Sequence, residues 1–177
     1  MSNSTKTYQM ISNTKIVNHK NMLIVIGQKG RLIYHLNKTF QDIKLILSNQ
    51  TLKLNQNLEC LQNEKVLDSI LKNVNKYYFI KLNLSGIGFR SWVYFDSNKQ
   101  QILIIKIDLA KDLRFIIPKS VTVFCLNPTL ILIRGIKKDD VKALALKIKL
   151  ARKTDNYKGK GIFLENEEKR LKIGKKI

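Results

Sequence analysis

Residues 121–151 read VTVFCLNPTLILIRGIKKDDVKALALKIKLA, and this stretch decides the fold class. Two apolar runs, Val121–Leu126 and Leu130–Ile133, flank Asn127-Pro128-Thr129. Proline presets its own φ and asparagine bonds to nearby backbone, so the triplet predicts a hairpin. Asp139 and Asp140 then open a second pattern, where carboxylates suit the positive end of a helix dipole. Val141, Leu144, Ala145, Ile148 and Ala151 recur at helical spacing and form one apolar face. Lys142, Lys147, Lys149, Arg152 and Lys153 fall mostly off it. Strands that precede a helix, and do not alternate with helices, indicate the α+β class: an antiparallel sheet with a helix on one face.

Upstream, the same order appears once more. Leu23–Gly27 is a short apolar strand, Gln28-Lys29-Gly30 a turn and Arg31–Leu36 its hairpin partner. Asp42–Leu47 and Thr51–Leu54 read as strands joined through Ser48-Asn49-Gln50, and Leu58, Leu61, Val66, Ile70 and Val74 predict a helix over 58–75. Tyr77–Leu84 is strand-like, Ser85-Gly86-Ile87-Gly88 interrupts it and Phe89–Phe95 resumes it. Asp96-Ser97-Asn98-Lys99 is a turn, Gln101–Ile107 the returning strand, and Leu113–Ile117 a short strand ended by Pro118. The two halves echo each other faintly, since Leu23–Gly27 and Ile131–Gly135 are both apolar strands that end in glycine and are followed by lysine. The expected architecture is α+β with two similar small domains, each an antiparallel sheet with a helix packed on one face, plus a basic C-terminal extension. The expected boundaries are a polar N-terminal segment over 1–20, domains over 21–76 and 77–153, and an extended basic arm over 154–177, disordered alone and ordered on its partner.

Charge narrows the function. The chain has 177 residues and 44% hydrophobic content, enough for a packed core, and 33 Lys plus Arg against 13 acids give a net charge of +20. The excess is spread: +7 over residues 1–76, +5 over 77–136 and +8 over 137–177. A chain basic along its whole length suits a polyanionic partner met on several sides. The lysines do not collect on one amphipathic helix, which argues against a membrane surface. The apolar runs Ile102–Ile105 and Leu130–Ile133 fall far short of the roughly 20 residues that span a bilayer. Cys60 and Cys125, far apart in apolar patterns, read as buried free thiols in a reducing compartment.

The segment Tyr157-Lys158-Gly159-Lys160-Gly161-Ile162 carries the chemistry. Glycines let main-chain N–H groups approach a phosphate closely, and lysines supply flexible point charges. Tyr157 offers a ring that stacks on a base or sugar. Lys169-Arg170, Lys172 and Lys175-Lys176 continue the basic run. Arg152 and Lys153, just before it, and Arg90, beside the second glycine pair, complete the expected RNA-contacting set. Gly86 and Gly88 complete no GxGxxG and precede no Walker lysine, so they read as a strand bulge bringing backbone close to RNA. Trp92 reads as core or inter-domain packing ahead of a base platform.

Catalysis has little support. His19 and His35 are too few and too far apart for a metal site, and no Cys–His spacing suggests zinc. No G-x-S-x-G elbow surrounds any serine. A nuclease would need metal-clamping acids such as Asp108 and Asp112, but the acids sit at turns beside lysines, or at a helix start for Asp139 and Asp140. No catalytic residue, cofactor or small-molecule substrate is expected.

Several of these segments together resemble a known family, universal large-subunit ribosomal protein six (ribosomal protein L-six). Ile26–Leu32 resembles its VKGPKGEL turn, Leu84–Arg90 its LVGVGYRA segment, and Leu130–Gly135 with Lys138 and Asp139 its I-x-V-x-G-x-D/N-K passage. Tyr157–Ile162 with Lys172-Ile173-Gly174-Lys175-Lys176 is similar to its YKGKGI…K-x-GKK terminus, the most specific of the four. The likeness covers about residues 22–177. Residues 1–20 do not resemble the family's first segment; Asp108–Asp112 replaces a GYSHP-like loop and Thr154-Asp155-Asn156 a PEP. The resemblance implies two duplicated α+β domains and a place in the large ribosomal subunit. It also implies contacts with neighbouring ribosomal proteins and with large-subunit rRNA near the sarcin–ricin loop and stalk base, mostly through the C-terminal domain. The composition, with 27 Lys against 6 Arg, 23 Ile and 16 Asn, fits an A/T-rich genome. MSNSTKTYQM has no arginine, unlike an amphipathic transit peptide, and the first is Arg31. A mitochondrial ribosome is the expected setting, with plastid or bacterial cytoplasm as alternatives. A basic RNA-binding protein working outside the ribosome is the competing function.

Overall fold

The computed structural model describes residues 5–9, 14–19, 22–35, 45–48, 51–55, 61–169, 171–172 and 174. Expectations resting on Leu36, residues 42–44, 49–50, Leu58, Cys60, Arg170, Ile173, Lys175 and Lys176 lie outside these residues. The chain divides into two compact units, Met1–Tyr77 and Tyr78–Ile177.

In the first unit, Met22–Gly27 (β3) alternates as the sequence requires, with Leu23 and Val25 buried. It pairs antiparallel with Lys15–His19 (β2) on one side and Gly30–His35 (β4) on the other, the turn at Gln28-Lys29 closing the hairpin. Thr5–Gln9 (β1), Leu45–Ser48 (β5) and Thr51–Asn55 (β6) form a second sheet in the order β1-β6-β5. Leu61–Asn75 (α1) packs on β3 and β4 through Ile70 and Val74. Within the expected polar segment 1–20, Thr5–Gln9 and Lys15–His19 are strands and do not simply extend from the fold. Among the described strands both lie at the end of their sheets, and their sequences, TKTYQ and KIVNH, carry few apolar residues. That composition hid them from a reading based on apolar pattern.

The second unit holds the longer sheet, ordered β11-β12-β7-β13 and antiparallel throughout. Its strands are Tyr78–Ser85 (β7), Val121–Asn127 (β11), Leu130–Gly135 (β12) and Gly161–Leu164 (β13). A three-stranded sheet, β10-β9-β8, is built from Arg90–Phe95 (β8), Gln101–Lys106 (β9) and Leu113–Ile116 (β10). Lys138–Ala151 (α2) buries Val141, Leu144, Ala145 and Ile148, the stripe at i, i+3, i+4 and i+7, against β7, β12 and β13. Leu82, Ile131, Ile133, Leu103, Ile105 and Ile148 are sealed in one core that joins helix and both sheets. Gln101 ties the sheets together: its side-chain amide donates to the Val123 carbonyl at 2.8 Å and accepts the Val123 N–H at 3.0 Å.

The echo between the halves has a packing cause. At Gly135 a Cβ would stand 2.8 Å from Val141 Cγ2, and at Gly27 it would collide with Val74. In each unit a core strand ends on glycine because the helix crosses too closely for a side chain. The expected extended arm over 154–177 is corrected by β13. Gly161 pairs with Ser85 and Leu164 with Leu82, and Ile162 and Phe163 are buried. Burying two such side chains stabilises by about 1.5–3 kcal/mol each, which offsets a large part of the cost of ordering four residues.

Candidate nucleic-acid interface

Sheet topology brings most of the expected contact residues to one end of the second unit. β7 ends at Ser85 beside the start of β13, because Gly161 pairs with Ser85. The Leu84 N–H donates to the Thr129 carbonyl and the Ser91 N–H to the Pro128 carbonyl, so the hairpin tip lies there too. Arg90 pairs across strands with Lys106, and α2, running back along the sheet, delivers Arg152 and Lys153 to the same end.

The Tyr157–Gly161 loop is organised by Asp155. Its carboxylate Oδ1 accepts the Tyr157 N–H at 2.8 Å, its carbonyl accepts the Gly159 N–H at 2.9 Å, and its own N–H donates to the Lys160 carbonyl at 2.8 Å. Gly159 takes φ +64 to complete the turn. The result points Tyr157, 64% exposed, and Lys158 outward. Lys160 is half-buried and Gly161 is buried at φ +138, where a Cβ would meet Thr154 Cα at 2.8 Å. Gly161 thus serves the approach of backbone to Thr154 and not to a phosphate. The Lys172 N–H donates to the Asn156 carbonyl at 2.9 Å, and Leu171 packs toward Gly159. Lys169 Nζ donates to Ser85 Oγ at 3.1 Å and lies 5.1 Å from the centre of the Phe163 ring.

The acids nearby are engaged locally. Glu167 accepts from Lys149 Nζ at 2.7 Å and from the Leu164 N–H at 3.1 Å, and these bonds hold its carboxyl below the ordinary range. Glu165 pairs with Lys81 at 2.7 Å. Asp108 accepts from Arg152 at 2.8 Å, so Arg152 is turned toward the 108–112 loop and not freely presented. Two of the three acids at positions where the sequence leaves the family pattern, Asp108 and Asp155, are therefore fastenings of this end of the unit.

The Gly86–Gly88 segment is a turn between sheets, not a bulge within a strand. Phe89 folds back under Gly86 into the core, and Ile87 at the tip is 93% exposed. Arg90 is exposed. Trp92 is outside the core at 39% exposure, because strand alternation turns Ser91 inward to donate to the Pro128 carbonyl at 2.9 Å. Cys125 is a free, half-buried thiol whose burial pushes its pKa up. Arg170, Lys175 and Lys176 lie outside the described residues. Among the described residues no group of His, Cys, Asp or Glu could hold a metal ion, and no helix is long and apolar enough to cross a membrane.

Fold and site define a class: a basic α+β protein of two small units, with lysines gathered on loops at one end of the second. Comparison with known proteins gives the particular family. Residues 110–163 match the family described as Ribosomal protein L6. Large ribosomal subunit protein uL6 of Alkaliphilus oremlandii (strain OhILAs) is 32% identical over 166 residues, covering 90% of this chain and 88% of that protein. Large ribosomal subunit protein uL6m of Reclinomonas americana is 29% identical over 184 residues, with 97% of each chain covered. The uL6 protein of Prosthecochloris aestuarii (strain DSM 271 / SK 413) is 36% identical over 110 residues, 62% of this chain and 58% of that one. The chain belongs to the ribosomal protein L6 family, a structural and not an enzymatic one.

Proposed function

We propose that the chain works in a mitochondrial ribosome, binding large-subunit rRNA near the sarcin–ricin loop and the stalk base and thereby supporting translation. As a member of the L6 family it is a structural constituent of the large ribosomal subunit. The observation that carries the RNA reading is the turn centred on Asp155, which holds Tyr157 and Lys158 outward beside Lys169 and Lys172. Lys153, Lys158, Lys160, Lys169, Lys172 and Arg90 neutralise phosphates, and Arg170, Lys175 and Lys176 extend that charge. Arg152 contributes while oriented by Asp108. The Gly159 turn sets the loop's path, and Gly161 fixes its root. Phosphate contacts set register, and RNA shape selects the site. Neighbouring ribosomal proteins are its other partners.

The mitochondrial setting is supported by the relative named uL6m, aligned over nearly the whole chain, and by the lysine-, isoleucine- and asparagine-rich composition. The bacterial relatives favour a bacterial ribosome as the second reading. Sucrose-gradient fractionation of an organelle lysate in high salt, followed by mass spectrometry, tests both parts. Stoichiometric recovery in the large-subunit peak is expected. Recovery only in light fractions would overturn the ribosomal role and favour an RNA-binding protein outside the ribosome.

A further inference from the structure

Apart from Arg90, which lies where the two meet, the outer face of the β10-β9-β8 sheet carries a pattern that the loop site does not use. Strand alternation turns Leu103, Ile105 and Phe115 into the core. The opposite positions fall into three rows by register. Arg90 stands beside Lys106; Trp92 beside Ile104 and then Arg114; Tyr94 beside Ile102 and then Ile116. Trp92 and Tyr94 are 39% and 38% exposed, and Ile116 is 65% exposed. Eight outward positions hold two aromatics, three aliphatics, three cations and no acid. Among the described residues none of those three cations makes an ion pair.

We infer that this face is a stacking platform for an unpaired segment of RNA, separate from the Tyr157–Lys172 end. Two residues apart on one strand, Trp92 and Tyr94 stand about 6.7 Å from each other, each with an isoleucine as cross-strand neighbour. Each ring can take one base on its face. Arg90, Lys106 and Arg114 flank the rings on the same face, where the backbone phosphates of such a strand would run. Stacking tolerates any base and needs the bases splayed out, so the ligand is single-stranded. A duplex keeps its bases stacked on one another and offers this face only phosphates. A protein partner would have to supply matching acids, because the face holds three cations and no acid.

Trp92 is the only tryptophan of the chain, so its emission reports this face directly in the unaltered protein. The full chain is titrated with short oligoadenylate, with a duplex of the same length and with oligoglutamate, while binding is followed independently by anisotropy of labelled ligand. Saturable quenching of tryptophan emission by oligoadenylate is expected, with duplex binding but leaving the emission unchanged. Tyr94→Ala should weaken oligoadenylate binding about 5- to 150-fold, the range given by loss of one stacked base. Oligoadenylate that binds by anisotropy without quenching would overturn the proposal. Equal quenching by oligoglutamate would also overturn it and give the face to an acidic protein. Gradient fractionation tests where the chain is housed and emission tests this face, so the two readings fail separately.

Discussion

Asp155 shows how much one residue settles at the Tyr157–Lys172 end of the second unit. Its carboxylate, carbonyl and N–H all enter hydrogen bonds within five residues, and the turn so fixed leaves Asn156, Tyr157 and Lys158 exposed. The alternation of lysine and glycine was legible as a loop. That the two glycines serve different ends was not, since it depends on Thr154 lying against Gly161. Gly159→Ala should destabilise by about 1–2 kcal/mol, the cost of a left-handed residue, with Leu171 able to shift aside. Gly161→Ala should cost more, because the new Cβ meets the backbone of Thr154, and thermal melts of the two variants should rank in that order. Lys158→Ala with Lys160→Ala should leave the melt unchanged and weaken RNA binding. The slope of log affinity against log salt should flatten by about 0.9 per lost duplex phosphate contact, measured by titration at several salt concentrations.

Among the elements, β13 departs furthest from what the sequence suggests. GIFL is a run of four residues between lysine-rich stretches, too short to show a period, and its partner β7 lies far back along the chain. The strands of β7–β12 and helix α2 were legible because their apolar patterns are long and their turns carry proline, asparagine or glycine. β1 and β2 were not, because TKTYQ and KIVNH carry few apolar residues and show no clear apolar pattern. Ile162 is sealed between β7 and α2, so Ile162→Ala should cost about 2–5 kcal/mol, measured by urea unfolding. An arm that ordered only on RNA would show no change. Glu167 fastens the end of the same strand through the Leu164 N–H and Lys149. Its carboxyl is held below the ordinary 4.5, so the ionised form is favoured in the folded state. The contribution is full above the ordinary value and is lost as pH falls through the lowered one. Thermal melts from neutral pH downward should therefore show a steeper acid decline for the native chain than for Glu167→Gln.

At the scale of the molecule, each unit closes its own contacts and the charge is unevenly divided between them. Residues 1–77 carry 11 basic against 4 acidic side chains, and residues 78–177 carry 22 against 9, net +7 and +13. The core of the second unit draws only on residues 82–162, with every strand and the helix that cover it inside the same unit. A chain of 100 residues with such a core is within the range that folds alone. The fragment 78–177 should therefore unfold cooperatively by circular dichroism and retain most of the salt dependence of RNA binding, since Lys158, Lys169, Lys172 and Arg90 all lie within it. Fragment 1–77, with little more than half that net charge and none of those residues, should show a distinctly shallower slope. Equal slopes for the two fragments would mean that binding follows total charge, and would move the interface away from the end of the second unit.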